Sequence, residues 1–125
     1  MSDRKQVLVA EDSSVIQNLT KKVLQFQNYD IHSARDGQQV LDMLKQKKYD
    51  IILMDINMPK MDGMECSRQI RSMDDEEKSQ VPIIAITGNA SNYSEDDFEK
   101  AGMNEYIPKP INFDRLVEVV NKYAQ

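Results

Sequence analysis

Short apolar runs rich in β-branched residues recur about five times along the chain, and a longer stretch with helical spacing separates each from the next. The runs are "QVLVA" (Gln6 to Ala10), "YDIHSA", "DIILM", "VPIIAIT" and "EYI". A strand that is apolar without alternating is buried on both faces, which places such strands in a parallel sheet with helices above and below. The pattern predicts an α/β protein built as a doubly wound five-stranded parallel sheet. With 125 residues there is material for one hydrophobic core but not for two ordinary domains, so residues 1–125 are expected to form a single domain.

The intervening stretches carry helix signals. "SSVIQNLTKKVLQFQ" starts with Ser13 or Ser14 as cap and is expected to turn Val15, Ile16, Leu19, Val23, Leu24 and Phe26 to one face. "DGQQVLDMLKQKK" reads as a helix that buries Val40, Leu41 and Leu44, and "GMECSRQIRSM" as the next. "NYSEDDFEKAG" is a short helix poor in large apolar residues, and "NFDRLVEVVNKYA" closes the chain behind an Asn112 cap. The run "DDEEKSQ" reads as a solvated loop.

Composition removes several function classes. Net charge is −5 and the Lys and Arg residues are scattered, so no basic stripe exists to neutralise a phosphate backbone, and direct nucleic-acid binding is not expected. Cys66 is the sole cysteine, which excludes an internal disulfide and any CxxC metal or redox motif. The N-terminus lacks the apolar segment of a signal peptide, and no stretch is long enough to span a membrane. These features suit a cytoplasmic protein without membrane insertion. His32 has no companion ligand near it in sequence and is not expected to carry phosphate or metal.

In an open parallel sheet, ligands bind beyond the carboxyl ends of the strands. The first strand runs into Glu11 and Asp12, the third into Asp55, the fourth into Thr87 and Gly88, and the fifth leads through Tyr106 to Lys109, between two prolines. Three acids, a hydroxyl and one amine thus converge on one edge. Two carboxylates about 4 Å apart repel by roughly 4 kcal/mol at an effective dielectric near 20, against a total domain stability of about 5–15 kcal/mol. Lys109 alone cannot balance three acids, and a divalent cation is the simplest remedy. Oxygen-only ligands with room for water and a phosphoryl oxygen describe Mg²⁺ better than zinc or a closed calcium cage.

Four motifs stand at these strand ends in order: "LVAEDSS", "LMDINMPKMDG", "AITGNAS" and "GMNEYIPKP". Together they resemble, over essentially the whole chain, the receiver domains of the two-component response-regulator family, chemotaxis-receiver-like and single-domain. The resemblance implies the flavodoxin-like receiver fold with strand order 2-1-3-4-5. It also implies that Asp55 accepts a phosphoryl group from a phosphohistidine, and that Asp12, Asp55 and the backbone carbonyl of Asn57 hold Mg²⁺, with Glu11 assisting through a metal-bound water. Glu11 stands where the family more commonly has Asp. Lys109 and Thr87 would each bind a phosphoryl oxygen, Thr87 and Tyr106 would form the switch, Gly88 would leave room for phosphoryl entry, and Asn57 and Asn89 would tune the phosphoryl lifetime. The domain would catalyse its own phosphorylation and its own aspartyl-phosphate hydrolysis without turning over a separate substrate.

The implied partners are a histidine kinase or histidine phosphotransfer protein as donor, and a downstream target protein. Because the chain ends after its last helix, it is expected to lack an output domain of its own, either as a stand-alone receiver or as a receiver excised from a hybrid histidine kinase. Two other readings share the fold. A flavin carrier would place its phosphate loop after the first strand, where Glu11 and Asp12 would repel it. A pseudo-receiver, a binding module without phosphorylation, would not need the full set of acceptor-site residues.

Overall fold

The computed structural model describes residues 4–88 and 93–124. Its elements alternate as the patterning requires: β1 (Gln6–Ala10), α1 (Ser14–Phe26), β2 (Asp30–Ala34), α2 (Gly37–Gln46), β3 (Ile51–Asp55), α3 (Gly63–Arg71), α4 (Glu76–Ser79), β4 (Ile83–Thr87), α5 (Glu95–Lys100), β5 (Glu105–Pro108) and α6 (Phe113–Ala124). The five strands form one parallel sheet in the order β2-β1-β3-β4-β5.

Both faces of the sheet are covered, which is why β3 and β4 are buried at every position. Alternate residues of the central strands feed two separate cores. Leu8, Ile52, Met54, Ile83 and Ala85 pack under α2, α3 and α5, which contribute Val40, Leu44, Ile70 and Phe98. Val7, Val9, Leu53, Ile84 and Ile86 pack under α1 and α6, which contribute Leu24, Leu116, Val119 and Val120.

Side-chain oxygens start the helices. Ser13 accepts from the Ile16 N–H, Asp36 from Gln39, Asp62 from Glu65, and Asn112 from Arg115. Ser94 and Asp97 form a reciprocal capping box at α5, which otherwise buries only Phe98.

Two local expectations change. Residues 74–80 are not all loop, because Asp75 accepts from the Glu77 and Lys78 N–H groups and nucleates the one-turn α4. The single buried face expected for α1 is also wrong. Its buried stripe runs through Thr20 and Leu24 with Ile16 and Val23 half-buried, while Val15, Leu19 and Phe26 are 68, 48 and 87 % exposed. The helix packs along a narrow i, i+4, i+7, i+8 line, and the polar Thr20 on that line hides it from a reading of apolar residues alone.

Candidate functional site

The carboxyl ends of β1 and β3 place Glu11 and Asp55 side by side under the Lys109 ammonium. Lys109 Nζ lies 3.2 Å from Glu11 Oε1 and 3.2 Å from Asp55 Oδ2. Carboxylate oxygens of Glu11, Asp12 and Asp55 all fall within 4.8 Å of one another. Glu11 and Asp55 are buried, at 3 and 2 % exposure, whereas Asp12 stands open to solvent. Asp55 is therefore not a free side chain at a strand tip: Lys109 bridges it to Glu11, and the Asn57 N–H donates to its Oδ1 at 3.1 Å.

The charge balance is incomplete. Burial, with the adjacent Asp55 carboxylate, pushes the Glu11 carboxyl from 4.5 up to about 7, although the Ser13 N–H and Lys109 act the other way. Burial alone would lower the Lys109 ammonium, but Asp55 and Glu11 outweigh it and hold the group above the usual lysine value. An all-oxygen cluster, half buried and short of positive charge, matches the donor preference of Mg²⁺, so these residues fit that ion.

The loop from Asp55 to α3 is closed tightly. Gly63 N–H donates to the Ile56 carbonyl at 2.9 Å, and a Cβ on Gly63 would lie 2.4 Å from the Asp55 carbonyl oxygen, where no side chain fits. Gly37 accepts the loop from the other side, since a Cβ there would sit 2.8 Å from the Met61 carbonyl oxygen. Lys60, at φ 68°, adds a 3.7 Å ion pair to the buried Asp36. Asn57 itself is exposed.

Thr87 is fully buried at the end of β4, and its carbonyl accepts from the Lys109 N–H at 2.7 Å. The Lys109–Pro110 peptide bond is cis. Tyr106 pairs in register with Ala85, two residues before Thr87, and so shares the sheet face that Thr87 occupies by strand alternation. Its ring stacks on Phe98, with centroids 5.2 Å apart. Gly88 is exposed, and among the described residues a Cβ there would make only ordinary contact with Lys109, at 3.8 Å. Asn89 lies outside the described residues.

The structure therefore gathers Glu11, Asp12, Asp55, Asn57 and Lys109 at one rim, with Thr87 and Gly88 on the next strand end. It also shows side chains that sequence patterning does not single out. The Gln17 amide donates to the Glu11 and Ala34 carbonyls, each at 2.7 Å, and Arg35 Nη2 donates to the Asp12 carbonyl at 3.1 Å. A glutamine early in an amphipathic helix carries no signal for such a role.

The arrangement is thus a doubly wound parallel sheet whose acidic rim faces one lysine. Residues 7–121 match the response regulator receiver domain, and the chain belongs to that family of two-component signalling proteins. It is 42 % identical over 120 residues to hybrid signal transduction histidine kinase I of Dictyostelium discoideum, covering 92 % of this chain but only 7 % of that kinase. It is 31 % identical to the polar-differentiation response regulator DivK of Brucella anthropi, covering 95 % of each. Among solved structures, the receiver domain of the sensor histidine kinase PA1611 from Pseudomonas aeruginosa, crystallised with a magnesium ion in its active-site cleft, superposes with a TM-score of 0.88 at 32 % identity, covering 97 % of this chain and 98 % of that one. The Vibrio cholerae chemotaxis protein CheY4 also gives a TM-score of 0.88, at 26 % identity, over 96 % of this chain and 98 % of that one.

Proposed function

We propose that residues 1–125 work as one receiver unit in which Asp55 is the phosphoacceptor, its donor being a phosphohistidine on a histidine kinase or phosphotransfer protein. The observation that carries this reading is the pairing of buried Asp55 with Lys109 and two further acids at a single sheet edge. In the transfer, the P–N bond of the phosphoimidazole breaks and a bond from phosphorus to an Asp55 carboxylate oxygen forms. The imidazole leaves with the electron pair and takes a proton from solvent. Glu11, Asp12, Asp55 and the Asn57 carbonyl would hold Mg²⁺, a reading supported by the magnesium in the similar PA1611 receiver. When bound, the ion would neutralise negative charge on the acids and the incoming phosphoryl oxygens.

This chain's own residues do the rest. Lys109 exchanges its carboxylate partner for a phosphoryl oxygen, and Gly88, having no side chain, leaves room for the group to approach. Thr87 offers its hydroxyl to a second phosphoryl oxygen. The same arrangement favours attack by water, so the unit limits the lifetime of its own aspartyl phosphate, and the side chains at Asn57 and Asn89 would tune it.

The switch follows from Thr87 and Tyr106. A phosphoryl group draws the Thr87 hydroxyl toward Asp55, the vacated volume admits Tyr106, and the surface of α5, β5 and α6 repacks for a downstream target. A cleft of about 400 Å³ bounded by Phe98, Met103, Tyr106 and three glutamates lies on that surface, and the short α5 is cheap to shift. The free, buried Cys66 agrees with action in the reducing cytoplasm, and among the described residues no helix is long and apolar enough to cross a membrane.

Incubation with acetyl phosphate and Mg²⁺ followed by intact mass tests the reading: one phosphoryl group is expected, absent in Asp55→Asn. A chain that stays unmodified with every phosphodonor would be a binding module instead. For the switch, Thr87→Ala should leave the amide spectrum of α5, β5 and α6 nearly unchanged on phosphorylation. A wild-type-sized change in that variant would refute the coupling.

A further inference from the structure

The geometry points to Gln17 as a positioning residue that sets the backbone of the acidic pair for cation binding, an inference that rests on the magnesium reading above. Glu11 and Asp12 lie in the turn between β1 and α1, and Asp12 is exposed, so the backbone of this turn sets where its carboxylate starts. Three donors fix that backbone. The Glu11 N–H reaches the Ala34 carbonyl at 3.0 Å, continuing the β1–β2 ladder one residue past the strand. The Gln17 amide nitrogen then donates to both the Glu11 and Ala34 carbonyls, each at 2.7 Å, tying the ends of β1 and β2 to the second turn of α1. Arg35 Nη2 donates to the Asp12 carbonyl at 3.1 Å.

The orientation of the amide follows from its partners, because the oxygen of Gln17 in that place would face two carbonyl oxygens. The Gln17 amide nitrogen is spent as a donor to two carbonyls and is not itself a metal ligand. Its effect is to hold two ligands in one arrangement before the ion arrives, so binding spends less free energy on ordering them. Loss of an outer partner of this kind typically weakens metal binding by about 10-fold or more.

The test uses the full chain and MgCl₂ as the probe. Gln17→Met keeps the side-chain length and removes the donor. Metal-free spectra should show the Glu11 and Ala34 carbonyl ¹³C resonances shifting to the values of weaker acceptors, and an NMR titration should show Mg²⁺ affinity falling about 10-fold. Arg35→Met should give a smaller loss. Ser67→Ala, which deletes the buried hydroxyl bond to the Ala101 carbonyl across the molecule, lowers stability as a control and should leave Mg²⁺ affinity unchanged. A loss of threefold or more in Gln17→Met with unchanged affinity in Ser67→Ala supports the assignment. A smaller loss, or an equal loss in Ser67→Ala, overturns it. A wild-type chain that binds no Mg²⁺ would instead overturn the magnesium reading, while the carbonyl shifts would still report the clamp.

Discussion

Two half-buried cations organise opposite parts of this molecule in different ways. Arg71, at the end of α3, is surrounded by neutral oxygens: it donates to the carbonyls of Gly102, Ser79 and Val81 and to Asn104 Oδ1. Lys109 faces two buried carboxylates with a third at the rim. The guanidinium satisfies carbonyls that would otherwise lack donors, and it joins α3, α4 and the turn before β5 into one piece. The lysine sits among more charge than it can neutralise. A cation among dipoles is built to stay, whereas a cation among excess acids can exchange partners at small cost.

The contrast yields graded predictions. Arg71→Ala should have the largest effect, a loss of about 3 kcal/mol from broken charge-assisted bonds, seen as a melting temperature lower by roughly 10 °C, with the acetyl phosphate reaction rate within about twofold of wild type. If phosphorylation fell as sharply as stability, the two regions would not be separable.

Next comes a pH dependence confined to the acidic rim. The folded-state value of Glu11, about 7, lies above its reference of 4.5, so the folded chain holds the extra proton between those limits. In EDTA, the contribution of Glu11 to stability should therefore be greatest below the lower limit, fall by roughly 3 kcal/mol as pH rises through the window, and then level off. Glu11→Gln should flatten that slope in urea melts at successive pH values. A slope that survives the substitution would assign the proton elsewhere.

Lys109→Ala sharpens the comparison further. At pH 6 the Glu11 carboxyl already holds its proton, so Asp55 alone loses its counter-charge, and the loss should be smaller than for Arg71→Ala. At pH 8 it should be larger by about 1 kcal/mol, as two buried carboxylates stand together. A pH-independent loss would mean that Lys109 is held as Arg71 is. The smallest effect belongs to Gly88→Ala, where the added methyl makes ordinary contact with Lys109. Stability should stay within about 0.5 kcal/mol of wild type, while the decay of the phosphorylated form, followed by intact mass, should change rate.

Most of the fold was legible because burial on both faces leaves a plain trace. Runs such as Ile51 to Met54 have no polar position to confuse the reading, and the rim residues follow directly on those runs. Three kinds of feature were not legible. The packed stripe of α1 includes Thr20 and excludes Phe26, since neighbours decide which part of an apolar helix is covered. The burial of Asp55 also escapes the local sequence, because Lys109 and Glu11 come from other strand ends, 54 and 44 residues away in the chain. The roles of Gln17 and Arg71 depend on backbone carbonyls, which every residue possesses and no sequence pattern marks.

The close approach of Gly63 to the Asp55 carbonyl makes the loop from Asp55 to α3 a short bridge anchored at both abutments. Asn57, Pro59 and Lys60 on its span are exposed, so exchanging them leaves the anchors untouched. Under the proposed function, substitutions on the roadway alter how fast the signal fades while the foundations stay as they are.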